Sequence, residues 1–252
     1  MNTFESPLAA RTAQALLLFA LVTPAAHAAE CTARSGPLQT PLVELYTSEG
    51  CSSCPPAERW LNSLKHADDT VALAYHVDYW DYIGWADRFA APRNSKRQRD
   101  KVSLAGGRTV YTPQIMINGH DSHAWRGGNP LGDTARAPAL AHIELTTRQT
   151  STGTAVSVRA TAPAGPRTQL VVARYENGHQ SRVKAGENRG ATLDHDFVVR
   201  DWTARTLPAN TPLNAEFHFL PAEKPGGVAA FVEDLRSGAV LQALALADCP
   251  AR

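Results

Sequence analysis

The sequence predicts an α/β domain followed by an all-β, sandwich-like C-terminal domain. Three observations predict it: a strand–helix–strand pattern over residues 42–77, short alternating segments after residue 143, and a change of texture between them. The 252 residues suffice for two modest domains, and 43% apolar composition describes a globular chain. Net charge is +1, with Lys and Arg spread along the chain. No concentrated basic face is offered to nucleic acid or to an anionic membrane.

The first element is a leader. Arg11 precedes an apolar run over 13–24, and residues 26–28 read Ala-His-Ala, small at the first and third positions. A basic start, a short apolar core and an A-x-A site predict a signal peptide over residues 1–28. Export to a periplasmic or secreted location is expected, with no membrane insertion once the leader is removed. The first domain then spans 29–142 and the β-rich domain 143–252.

Residues 42–47, LVELYT, read as a short buried strand. After Ser48-Glu49-Gly50 comes Cys51-Ser-Ser-Cys54-Pro-Pro, then Trp60, Leu61 and Leu64 at helical spacing, with Pro55 or Pro56 suited to a first turn. Residues 71–77, VALAYHV, form a second strand, expected to lie parallel to the first. An aromatic-rich, partly helical insertion follows near 78–108. Strand 114–117 leads to Asn118-Gly119, a hairpin signal, with a return strand expected over 123–126 and a poor helix over 135–142. Seven short segments beyond residue 143, separated by Gly, Pro, Asn and Ser, predict the sandwich.

Four cysteines in an exported chain favour disulfides. Cys31 and Cys249 lie near the two ends of the mature chain and are expected to form a structural staple. Cys51 and Cys54 remain as a local CxxC pair. A structural zinc site needs four ligands, and no second CxxC exists. Between a strand and a helix, the helix dipole and nearby N–H groups favour a thiolate. Cys51 would attack a substrate disulfide, and Cys54 would resolve the mixed disulfide.

The blocks LYTSEGCSSCPPAE, AYHVDYWDYIGW and VYTPQIMING, in that order, resemble a family of uncharacterised secreted bacterial proteins carrying a thioredoxin-like domain. The resemblance covers roughly residues 41–142, with a β-rich region downstream. It implies a thioredoxin-like fold in which Thr112-Pro113 places a cis-proline beside the CxxC for substrate binding. It also implies a buried carboxylate on the strand leading to the pair, a position Glu44 fits if the following loop is one residue longer than usual. Relative to thioredoxin itself, Ser52-Ser53 replaces the usual dipeptide.

The expected function is an exported thiol–disulfide oxidoreductase acting on protein or peptide disulfides with a redox partner and no cofactor. Two alternatives stay open. One is a Cu(I) or soft-metal protein using Cys51, Cys54 and His76. The other is a binding module with a structural disulfide. His76, Asp78 and Asp81 end the second strand, as relay groups, metal ligands or a backbone-satisfied cap. Tyr79, Trp80, Tyr82 and Trp85 read as core or as a peptide-binding wall. Arg97 and Arg99 read as a solvated helix face, and His120 and His123 as surface. No glycine-rich nucleotide loop or Ser/His/Asp arrangement is visible.

Overall fold

The computed structural model describes residues 1, 29–67, 69–127, 131, 137–163 and 167–250. The expected leader lies outside the described residues, Met1 apart. Strands hold 45% of the described residues and helices 15%. That balance overturns the expected α/β thioredoxin-like domain: the molecule is mostly β.

In chain order the elements are β1 (Glu30–Arg34), β2 (Leu42–Thr47), α1 (Pro55–Ser63), β3 (Val71–His76), α2 (Pro92–Leu104), β4 (Gln114–Ile117) and β5 (His120–Asp121). There follow β6 (His142–Thr150), β7 (Gly153–Thr161), β8 (Thr168–Glu176), β9 (His179–Arg182), β10 (Thr192–His195), β11 (Val198–Leu207), β12 (Leu213–Phe219), β13 (Gly226–Asp234) and β14 (Val240–Ala247). A large sheet runs β14-β13-β8-β11-β3-β2-β4-β5, a second runs β1-β6-β7-β12, and β9 and β10 form a separate ribbon. β2 and β3 pair in parallel around α1.

The physical reason for the correction lies at β3. In an isolated α/β domain its outer edge would be free; here Ala74 N–H donates to Phe197 O at 2.8 Å and Val198 pairs with Ala74. The sheet thus continues through β11 into antiparallel strands from beyond residue 143. A strand–helix–strand unit read locally says nothing about which strand takes that edge. Apolar residues of the second sheet, such as Leu145, Val156 and Val158, pack on Leu170, Val172, Val228 and Ala230 of the large one.

Smaller expectations shift as well. The hairpin turns at Asn118 and Gly119, whose φ values of 50° and 88° suit the left-handed turn these residues favour. Its return strand is β5, and residues 124–126 form a 3-10 turn instead. Within the expected helix over 135–142, the described residues contain a bridge at Pro138 and the start of β6. The insertion near 78–108 holds the 3-10 turn Asp81–Ile83 and α2. No described helix is long and apolar enough to cross a membrane.

Alternation decides what each face of β2 and β3 carries. Val43, Leu45, Ala72 and Ala74 meet Ala57 and Leu61 of α1. Leu42, Tyr46, Leu73 and Tyr75 point the other way, toward Val102 of α2. Thr47 and His76 share the α1 face by the same period, and Glu44 shares the α2 face.

Candidate functional site

Cys51 and Cys54 are joined in a disulfide where β2 hands over to α1. Both residues are 0% exposed, whereas Ser52 and Ser53 between them are exposed. Cys54 is the N-cap of α1, and its carbonyl accepts from Ala57 and Glu58 N–H. Pro55 and Pro56 fill the first turn and carry no N–H. The helix start therefore offers the sulfurs its dipole but few free donors, fewer than the CxxC position alone predicts. Cys51 Sγ lies 3.4 Å from Ser53 Oγ.

The Thr112-Pro113 peptide is cis. Ser53 Oγ donates to Thr112 O at 3.4 Å, and Trp80 Nε1 donates to Thr112 Oγ1 at 2.7 Å. The structure thus brings the CxxC turn and Thr112-Pro113 together. Gly50 just before the pair is closely packed: a Cβ there would meet Trp80 Cβ and Ile83 Cδ1 at 3.2 Å. From the β9–β10 connection, Glu187 accepts from Ser52 N–H and Oγ–H at 3.1 and 2.7 Å. Asn188 Nδ2 donates to Glu49 O and Cys51 O, both at 2.9 Å.

Glu44 is not beside the cysteines. It lies on the α2 face, where Arg97 donates to its Oε1 at 2.9 and 2.7 Å. Arg97 also reaches Glu233, and Lys101 Nζ lies 2.5 Å from Glu233 Oε2. Arg97 is therefore buried, not solvated; Arg99 is exposed. A glutamate on a strand has two faces to choose from, and α2 supplied the counter-charge on the other one.

A different polar cluster lies on the α1 face, next to the pair in sequence. Glu49 precedes Cys51 by two residues and Glu58 follows Cys54 by four. Glu58 Oε1 accepts from Thr47 Oγ1 at 2.6 Å, and Oε2 lies 2.9 Å from His195 Nδ1. Glu49 Oε1 lies 3.3 Å from His195 Nε2, while its Oε2 accepts from Trp85 Nε1 at 2.6 Å. Asp87 Oδ2 accepts from Glu49 N–H and sits 2.6 Å from His76 Nδ1. The His76 and His195 rings are 5.1 Å apart, edge to face.

Burial works against a proton on His195, but Glu49 and Glu58 outweigh it and push the imidazole up to about 10. Burial opposes the Glu58 charge too, and His195 more than compensates, lowering its pKa. The same balance, with His76 as counter-charge, lowers that of Asp87. One ligand atom each from Glu58, His76 and His195 fall within 4.8 Å of one another, a spacing able to hold a metal ion. The cysteines of the expected soft-metal set are bonded to each other.

Of the other expected residues, Asp78 accepts from Ser95, and Asp81 accepts from Asp87 N–H. Tyr79 and Trp80 are half-buried, and Tyr82 is 83% exposed. His120 and His123 lie at the surface, where Asp121 accepts from Tyr111 and the His123 ring stacks on Tyr111. Glu49, Glu58, Asp87 and His195 were not singled out from sequence. Two of them carried a signal: Glu58 lies on the apolar face of α1 with Ala57 and Leu61, and His195 shares the buried parity of β10 with Leu193.

Residues 42–233 match a family described as "Protein of unknown function (DUF1223)". The chain belongs to this family. The membership covers the CxxC, Thr112-Pro113 and every residue of the buried cluster. A crystal structure of a protein from Agrobacterium tumefaciens is similar, with 26% identity and a TM-score of 0.62, over 84% of this chain and 96% of that one. Among curated proteins none matches the chain.

Proposed function

We propose that the protein is an exported thiol–disulfide oxidoreductase whose working group is the Cys51–Cys54 pair. The observation that carries this reading is the placement of a disulfide-bonded CxxC pair at a helix start, in a turn whose exposed Ser53 touches Thr112 beside Pro113. The two disulfides of the chain suit an oxidising compartment. In the reduced protein, the Cys51 thiolate attacks one sulfur of a substrate disulfide, expelling the other as a thiolate. Cys54, deprotonated, then attacks Cys51 Sγ and releases the second substrate thiol. The substrate gains two electrons and two protons, and the pair becomes a disulfide; with a substrate dithiol the same steps run backward.

Access defines the substrate's task. Cys51 and Cys54 have no exposed surface, so a partner reaches the sulfurs only if the turn opens, and the bonds of Glu187 to Ser52 and of Asn188 to Cys51 O hold that turn closed. The test is reduction of insulin disulfides by the dithiol form, alongside oxidation of a dithiol peptide by the disulfide form. Turnover above background is expected and should vanish in Cys51→Ser. Absence of both activities in folded wild-type protein would leave the pair a structural crosslink.

A further inference from the structure

We propose that Glu58, His76 and His195 form a binding site for a single divalent transition-metal ion, of the zinc class, buried behind the CxxC turn. Three independent elements converge there: α1 supplies Glu58, β3 supplies His76 and β10 supplies His195. All three side chains are nearly inaccessible, with His76 and His195 at 1% and 2% exposure. A buried imidazole nitrogen without a partner is costly. His76 Nε2 has none, nor do Nδ1 and Nε2 of His195 meet hydrogen-bond geometry with the carboxylates beside them. One nitrogen of each imidazole and one oxygen of Glu58 thus crowd a single small volume, where a bound cation would displace the proton between His195 and its carboxylates.

The surrounding shell has the arrangement metal-bound residues need. Asp87 Oδ2 sits 2.6 Å from His76 Nδ1, which places the proton on that nitrogen and leaves Nε2 free to ligate. Glu49 Oε1 sits beside His195 Nε2, leaving Nδ1 to face Glu58 Oε2. Thr47 holds the other oxygen of Glu58. Each ligand atom is thus backed by a separate orienting group, and those groups are themselves fixed, Asp87 by Phe89 N–H and Glu49 by Trp85. Two imidazoles and one carboxylate match the borderline ions of the zinc type better than calcium or magnesium, which take oxygen ligands, or Cu(I), which takes sulfur.

A neighbouring trio shows the contrast. Glu176, His179 and Glu223 have similar spacing, but His179 Nε2 is 2.6 Å from Glu176 and Arg88 reaches its Nδ1 at 3.1 Å. Both imidazole nitrogens there are held in hydrogen bonds, unlike Nε2 of His76.

The test titrates chelator-stripped, disulfide-intact protein with Zn2+ and with Co2+. One equivalent per chain is expected, with a tetrahedral cobalt spectrum lacking a sulfur charge-transfer band and a raised melting temperature. His76→Gln and His195→Gln should abolish binding. Asp87→Asn, which keeps all three ligands, should weaken it about 10- to 100-fold. The Cys51→Ser/Cys54→Ser variant should bind as wild type, so the site stands or falls apart from the redox activity. Failure of folded wild-type protein to take up either metal would overturn the proposal. So would loss of binding in the cysteine variant or full retention in folded His76→Gln protein.

Discussion

At the scale of single residues, the prolines after Cys54 set the chemistry of the pair. An N-cap side chain ordinarily accepts from the N–H of the second or third helical residue. In α1 the second is Pro56, which has none, and the third, Ala57, donates to Cys54 O. A Cys54 thiolate therefore lacks a donor that most helix starts would supply. Restoring one with Pro56→Ala should lower the Cys54 pKa and stabilise the dithiol, making the pair a stronger oxidant. The measurement is a glutathione titration of wild type and variant, with thiolate absorbance followed against pH. An unchanged or more reducing potential in a folded variant would contradict the argument. The tandem prolines after the motif are the sequence signal of this effect; read locally they suit a first turn or shift the helix start, and the structure has them in the first turn.

At the scale of elements, α2 is bound to the sheet by charge. Arg97 and Lys101 neutralise Glu44 of β2 and Glu233 of β13 in the interior, and the Arg97 guanidinium lies over the Tyr75, Trp202 and Phe231 rings. Arg97→Met leaves two buried carboxylates facing one lysine and should cost about 3–5 kcal/mol. Exposed Arg99→Met should stay within about 0.5 kcal/mol. Urea denaturation of both variants decides the point.

The same network predicts acid sensitivity. Burial opposes ionisation of Glu233, but Arg97 and Lys101 outweigh it and hold its carboxyl down to about 2. An unfolded glutamate titrates at about 4.3. Protons therefore bind the unfolded chain first, and the stabilisation is complete at neutral pH. It declines as pH falls below about 5 and is gone near about 2. Urea midpoints at neutral, mildly acid and strongly acid pH should follow that order, and Glu233→Gln, destabilised at neutral pH, should lose less on acidification.

At the scale of the whole molecule, the two sheets are locked at their margins. β1 is an edge of the second sheet and β14 an edge of the large one, and Cys31 in β1 is bonded to Cys249 just beyond β14. The crosslink spans 218 residues, and on the chain-entropy account a loop of that size is worth about 5 kcal/mol. Cys31→Ser/Cys249→Ser should lower the melting temperature substantially. It should leave the reactivity of Cys51–Cys54 intact, because the two bonds share no element. Loss of redox activity from the folded double variant would show that the sites are coupled.

Local information determined the short-range pieces. β2, β3, α1 and most later strands are legible in period and punctuation, as is the Asn118-Gly119 turn, because each depends on neighbours within a few residues; the pairing of four cysteines into two sets is legible from their even number and their placement along the chain. What only tertiary structure decided is which distant strand takes the free edge of β3, and therefore that the molecule is mostly β. It also decided which counter-charge meets Glu44 and that His195 joins His76 and Glu58. The reason is physical: a strand edge or a buried charge specifies only that it must be satisfied, and the partner is chosen by what the rest of the chain delivers to that place.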